Sequence, residues 1–154
     1  MFWFVVLQTT FLLIMFFPSL QMLVSPHIGF VDGACRSTQN LSSATWAIYD
    51  PHGELIDLQG ICLGQTTNNF HEYKTVSELL SEDIALSIRD LVVKLDSQLV
   101  VLQLNMQYSI RNPQLLRMCL CICLLERNFH YITYHHILRH MNALRDAFAN
   151  YVLE

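Results

Sequence analysis

The sequence predicts one α/β domain with the element order βββαβααβα. Three observations carry this prediction. Short β-rich segments separated by turn residues fill residues 28–64. Apolar residues then fall at helical spacing across residues 70–88. Beyond them, apolar runs alternate with capping and turn residues to the C-terminus. At 154 residues the chain holds one domain comfortably and two poorly.

The elements follow in order. "HIGFVDGA" reads as the first strand and ends in an acid and small residues. That ending is odd for a strand, because Asp is depleted there and Gly-Ala gives up packing area. "SATWAIYD" alternates Trp46 and Ile48 with small residues and reads as the second strand. In "DPHGE" Pro51 presets φ and Gly53 supplies a permissive position, which makes a turn. "ELIDLQGICL" returns as the third strand, so 28–64 is expected to be an antiparallel meander, with Gly60 and Gly64 as strand-end glycines. After "GQTTNN", Tyr73, Val76, Leu79, Leu80 and Ile84 share one face of a long helix. "LVVKLD" gives the fourth strand, and "SQLVVLQLN" a short helix capped by Ser97. "NPQLLRMCLCICLLER" reads as a buried helix with Pro113 near its first turn. "FHYITYHHI" is the fifth strand, and "NALRDAFANYVLE" closes the chain as an amphipathic helix.

Composition bounds the chemistry. The charged fraction is 14%, the hydrophobic fraction 53% and the net charge −4. A protein that binds duplexes through net charge alone carries a basic excess. Any nucleic-acid binding here therefore needs another bridge to the phosphates, and a divalent cation is the obvious one. Five cysteines, three of them crowded at Cys119, Cys121 and Cys123, suggest reduced thiols inside a cell and not a disulfide framework. On a helix those three cannot converge as ligands, and they read as core cysteines. His130, His135 and His140 resemble a metal tract but read as surface or partly buried side chains.

Residues 1–26 contain no Asp, Glu, Lys, Arg or His and form a hydrophobic extension beside a domain at 27–154. The run has the length of a membrane span, yet Gln8, Thr9, Thr10, Pro18 and Gln21 interrupt it. It lacks the basic start of a signal peptide and the flanking cations that orient a span. A membrane anchor and a read-in outside the folded domain both fit.

Four acids fall on four elements. Asp32 ends the first strand, Glu72 sits in the first turn of the long helix, and Asp96 ends the fourth strand. Asp146 lies on the last helix among Ala143, Ala147 and Ala149. Strand ends of open sheets are where sites form. Clustered carboxylates are costly unless a cation neutralises them, and oxygen-only ligands favour Mg²⁺ or Mn²⁺ over Zn²⁺. On spacing alone, the same acids also read as solvated surface charges.

"FVDGACRS", "TTNNFHEY", "LDSQLVV" and "HILRHMNALRDAFANYVL" together resemble the ribonuclease H type 1 domain, in the short form found in plant retroelement polyproteins. The resemblance covers about residues 27–154. It implies an RNase H-like five-stranded mixed sheet in the order 3-2-1-4-5, with the first strand central and helices on both faces. It also implies an endonuclease that hydrolyses the RNA strand of RNA–DNA hybrids by a two-metal-ion mechanism. On this resemblance Asp32, Glu72, Asp96 and Asp146 hold two Mg²⁺ or Mn²⁺ ions about 3.5–4 Å apart. His136 corresponds to a loop histidine that assists product release or proton transfer. Thr67, Asn68, Gln98 and Asn142 correspond to nucleic-acid-binding positions, in a family that reads 2′-hydroxyls across a shallow minor groove. The implied partner is an RNA–DNA hybrid, bound by an intracellular monomer in nucleus or cytoplasm, with membrane association through 1–26 as the alternative. The chain departs from the family pattern at His71 and Arg145, where Ala is usual. A catalytically degraded, nucleic-acid-binding remnant of the same fold is the alternative function.

Overall fold

Residues 27–64 fold back on themselves twice. The strands β1 (His27–Arg36), β2 (Leu41–Tyr49) and β3 (Leu55–Gly64) form the expected meander. The β2–β3 turn is built by Asp50, whose Oδ1 accepts hydrogen bonds from the backbone N–H groups of His52 and Glu54, both at 2.9 Å. The Glu54 N–H holds the Asp50 carboxyl below the usual carboxylate range. Gly53 completes the turn at φ +86°, a left-handed conformation that favours glycine. The computed structural model describes residues 25–36 and 41–142. Residues 1–24 of the extension expected over 1–26, and the final helix expected over 142–154 beyond Asn142, lie outside the described residues.

The remaining elements are α1 (Asn68–Ala85), β4 (Asp90–Leu95), α2 (Gln98–Leu104), α3 (Pro113–Glu126) and β5 (Tyr131–His136). A short 3₁₀ turn at Arg139–Asn142 follows. The sheet order is β3-β2-β1-β4-β5, with β1 central as expected. β1 pairs antiparallel with β2, whereas β1–β4 and β4–β5 are parallel, so the sheet is mixed. Gly60 lies inside β3, paired with Thr45, and is not a strand end as expected. The ladder carries on past it, and only Gly64, at φ +69°, ends the strand.

One core joins the sheet to the three helices. Val31, Ile48, Leu91, Val93 and Leu95 meet Tyr73, Val76, Leu79 and Leu80 of α1, all nine at 0% exposure. Gly29 permits the close approach, since a Cβ there would stand 2.7 Å from a Leu79 methyl. The Tyr73 hydroxyl donates to Gln103 Oε1 at 2.7 Å, and Gln103 Nε2 donates to the Ser109 carbonyl at 3.3 Å. That chain ties α1 to α2 and its following loop, and burial pushes the Tyr73 phenol up. On α3 only part of the cysteine expectation holds. Cys119 is buried and Cys123 half-buried, but Cys121 is exposed, because alternate residues on a helix point to different sides.

Both ends of α1 differ from the sequence reading. Thr67 caps the helix, its hydroxyl accepting from Phe70 N at 3.4 Å, so α1 begins at Asn68. Glu72 consequently sits in the second turn and not the first. At the other end Ser87 takes φ +63° and turns the chain back, which sends Ile88 into the core and stops α1 at Ala85. Ile84, expected on the buried face, is half-buried. Asp83 takes the buried position instead.

Candidate active site

The β1–β4 register positions the first two acids. The parallel ladder ends at the pair Phe30–Lys94, and Asp32 and Asp96 each stand two residues beyond it. β1 itself does not end at Asp32, as the sequence suggested. Its antiparallel ladder with β2 runs on to Arg36, so what stops at this point is the parallel neighbour. The end of a parallel pair in an α/β sheet is a natural position for a cleft, and one of about 350 Å³ lies here. Asp32, Gly33, Asn68, His71, Glu72, Asp96, Ser97 and Arg139 line it.

Asp32 is 1% exposed, and its Oδ1 accepts the Gly33 N–H at 2.8 Å. Thr45, paired with Asp32 across β2, donates its hydroxyl to the Asp32 carbonyl at 3.1 Å and steadies the backbone beneath the carboxylate. Glu72 reaches the cleft from α1. Its Oε1 lies 3.7 Å from His71 Nε2, while its Oε2 is buried without a hydrogen-bond partner among the described residues. Asp96 follows β4, and its Oδ2 lies 3.9 Å from Arg139 Nε. That contact is long and the arginine is 78% exposed, so it contributes little to stability. Ser97 caps α2 by accepting from Val100 N at 3.4 Å. The imidazole of His71 lies directly over Gly33, where a Cβ would stand 2.4 Å from both Cδ2 and Nε2. Only glycine leaves that space.

Three of the four expected acids thus share one cleft; Asp146 lies outside the described residues. Asn68 shares the cleft too. Thr67 is exposed and spends its hydroxyl on the helix cap. Gln98, the first residue of α2, is exposed and is not part of the cleft lining. His136 is paired with Leu95 at the end of β5 and lines a separate cavity of about 600 Å³ with Ile28, Val92 and Lys94. Asn142 is fully buried, and neither end of its amide has a hydrogen-bond partner among the described residues. Sequence reasoning noted His71 only as a departure from a family pattern and passed over Gly33 and Arg139. The Gly33–His71 contact has no local signature, since 38 residues separate the two.

The donor chemistry suits a hard divalent cation, with carboxylates from three elements and one buried carboxylate oxygen lacking a partner. As placed, however, no group of three or more His, Cys, Asp or Glu among the described residues is arranged to hold a metal ion. No helix among those residues is long and apolar enough to cross a membrane.

Comparison with known proteins agrees with this geometry. The reverse transcriptase-like family matches residues 30–152. Ribonuclease HI of Halobacterium salinarum is 28% identical over 125 residues, which is 81% of this chain and 63% of that protein. A bifunctional protein of Mycobacterium tuberculosis is 31% identical over 88 residues, 57% of this chain. The chain spans only 24% of that longer relative. Among solved structures, RNase H1 of Halobacterium salinarum superposes with a TM-score of 0.79 at 27% identity, covering 83% of this chain and 97% of that one. LC11-RNase H1, crystallised with an RNA/DNA hybrid, superposes with a TM-score of 0.75 at 24% identity, covering 81% of this chain and 94% of that one. With the family matched over most of its length and the sheet order and cleft in place, the chain belongs to the reverse transcriptase-like family and carries a ribonuclease H domain.

Proposed function

We propose that this domain is an endonuclease that cleaves the RNA strand of RNA–DNA hybrids with Mg²⁺ or Mn²⁺. The observation that carries the reading is the convergence of Asp32, Glu72 and Asp96 on one cleft at the end of the β1–β4 pair. The ribonuclease HI relative and the structural neighbour bound to an RNA/DNA hybrid support it.

Asp32, Glu72 and Asp96, together with Asp146, would hold the divalent ions, whose chemistry when bound would be activation of a water and neutralisation of charge on the leaving 3′ oxygen. The chain's own groups position the substrate. Arg139, exposed at the cleft beside Asp96, suits a backbone phosphate. Asn68 offers an amide at the start of α1, on the same cleft. Thr67, Gln98 and Asn142 are the further nucleic-acid contacts that the family resemblance implies. His136 acts from the end of β5 in proton transfer or product release. The protein works as an intracellular monomer, in nucleus or cytoplasm.

A labelled hybrid incubated with the full chain, with and without Mg²⁺ or Mn²⁺, tests the proposal. Metal-dependent cuts confined to the RNA strand support it. Hybrid binding with no cleavage in either metal would leave the chain a nucleic-acid-binding remnant of the fold.

A further inference from the structure

We propose that the outer face of α3 is a docking groove for an acidic amphipathic helix of a protein partner. Its lining and that of the acid cleft have no residue in common. Leu116, Leu120 and Leu124 recur every fourth residue along α3, and all three are exposed. Side chains at that spacing form one stripe along a helix. The stripe has a wall beside it. Met106, Tyr108 and Ile110, from the loop after α2, join Leu116 and Leu120 around a groove of about 330 Å³. Tyr108 is exposed, and Met106 is 77% exposed. A contiguous apolar surface of this kind, rimmed by polar residues, marks an interaction site.

Backbone hydrogen bonds hold the wall in place. The Met106 N–H donates to the Gln103 carbonyl at 3.1 Å, and those of Gln107 and Tyr108 to the Leu102 carbonyl at 2.8 and 3.2 Å. They fix Met106 at φ +59°, a left-handed conformation that a helix end usually gives to glycine. An exposed, unbranched methionine there serves as an adaptable contact. Charge selects the occupant. From Ser97 to His130 the chain holds three arginines and one acid, although its net charge is −4. Arg117 is exposed on α3, and Arg127 is exposed at its C-cap, three residues after Leu124. Arg111 lines the adjoining cavity with Tyr108 and Ile110. The one acid, Glu126, accepts the Tyr134 hydroxyl at 2.7 Å and is engaged towards the sheet. A second copy of this face would bring like-charged rims together, whereas Asp and Glu flanking an apolar stripe complement them. The apolar floor takes the side chains of a docked helix, which a phosphate backbone does not supply.

Fluorescence anisotropy of the full chain with two labelled helical peptides tests this. One peptide carries a Leu stripe flanked on both sides by Glu, and the other has Lys in place of every Glu. The Glu peptide is expected to bind in the micromolar range and roughly tenfold tighter than the Lys peptide, with the gap closing in high salt. Leu120→Asp should abolish binding, and Arg117→Glu should shift the preference towards the Lys peptide. Both side chains are exposed, so these variants should keep the wild-type melting temperature and hybrid cleavage. Leu86→Asp, exposed at the end of α1, should bind like the wild type. No binding of the Glu peptide, equal affinity for both peptides, or binding that survives Leu120→Asp would overturn the inference. Displacement of the peptide by RNA–DNA hybrid would make this a nucleic-acid face, and Leu120-dependent retention on phosphatidylserine vesicles a membrane face; either overturns it. So does a photo-crosslinker at position 120 that joins a second copy or residues 1–24 in place of the peptide.

Discussion

The two ends of α1 hold acids in opposite circumstances. At its N-terminal end Glu72 opens onto a cleft shared with Asp32, Asp96 and a histidine. At its C-terminal end Asp83 is 0% exposed, and neither carboxyl oxygen has a hydrogen-bond partner among the described residues. Desolvation, reinforced by the nearby Glu82 and Asp57 charges, pushes the Asp83 carboxyl up to about 8. Both residues carry a buried carboxyl oxygen with no hydrogen-bond partner among the described residues. What separates them is access: Glu72 opens onto a cleft, whereas Asp83 faces only the core. A buried acid on a shared cleft is a site candidate, and one without a cleft is a cost to the fold.

The largest effects belong to the cleft. Asp32→Asn and Asp96→Asn keep side-chain shape but remove ligand charge, so both are expected to reduce hybrid cleavage to background. Thermal unfolding should show the fold unchanged, or slightly stabilised by relief of carboxylate repulsion. Loss of activity together with loss of the folding transition would assign Asp32 a structural role and erase the contrast with Asp83.

At Asp83 the expected effect is on stability. The folded state holds this proton more tightly than the unfolded chain, where the carboxyl titrates near its ordinary value of 3.8. Its contribution is therefore intact below about pH 4. Stability then falls by about 1.4 kcal/mol per pH unit as pH rises towards 8, and levels off above that. Asp83→Asn removes this slope. The variant should unfold in urea at nearly the wild-type midpoint at pH 4, and at a higher one at pH 8, by a difference on the order of a few kcal/mol. Cleavage per folded molecule should not change. Equal midpoints at pH 8 would mean that Asp83 finds a compensating partner, and the two ends of α1 would no longer differ in kind.

The strands and most of α1 were legible because their signals are local. Alternation in β2, the Asp50–Gly53 turn and the 3.6-residue spacing of Tyr73, Val76, Leu79 and Leu80 all lie within one element. The order of the sheet came from the motif resemblance. Asp32, Glu72 and Asp96 stood out by their positions and took their role from the same resemblance, and the structure brings them to one cleft. What escaped depends on contacts between elements. Periodicity marks a buried helical position but does not say that Asp83 will occupy it. The length of β1 past Asp32 is decided by β2, which keeps pairing after β4 has stopped. Arg139 reaches Asp96 from a turn 43 residues downstream, and no spacing rule connects them.

A smaller effect comes from Gly33→Ala. The added methyl would overlap His71, with Ser43 O also at 3.1 Å, so the imidazole must move. Overpacking of this kind costs typically ~1–3 kcal/mol. Because the clash is with one side chain, His71→Ala in the same molecule should recover most of the loss, giving a coupling energy above ~0.5 kcal/mol in the double-mutant cycle. Strictly additive losses in urea would place the strain at Ser43 and separate Gly33 from the cleft.

The smallest expected effect is that of Arg139→Ala, and it tests whether the cleft ends at its acids or extends to a phosphate contact. Arg139 is 78% exposed and its 3.9 Å approach to Asp96 is long, so unfolding should shift by less than about 0.5 kcal/mol. Any role must then appear in substrate handling. If the guanidinium meets a backbone phosphate, its loss should weaken hybrid binding evenly across sequences and lower the slope of log affinity against log salt by about one. KM should rise while kcat stays near wild type, because a contact made equally in ground and transition states is lost. A fall in kcat with unchanged KM would instead mean that Arg139 holds Asp96 in position. In that case the exposed rim belongs to the catalytic geometry, and access alone would not distinguish the working acids from Asp83.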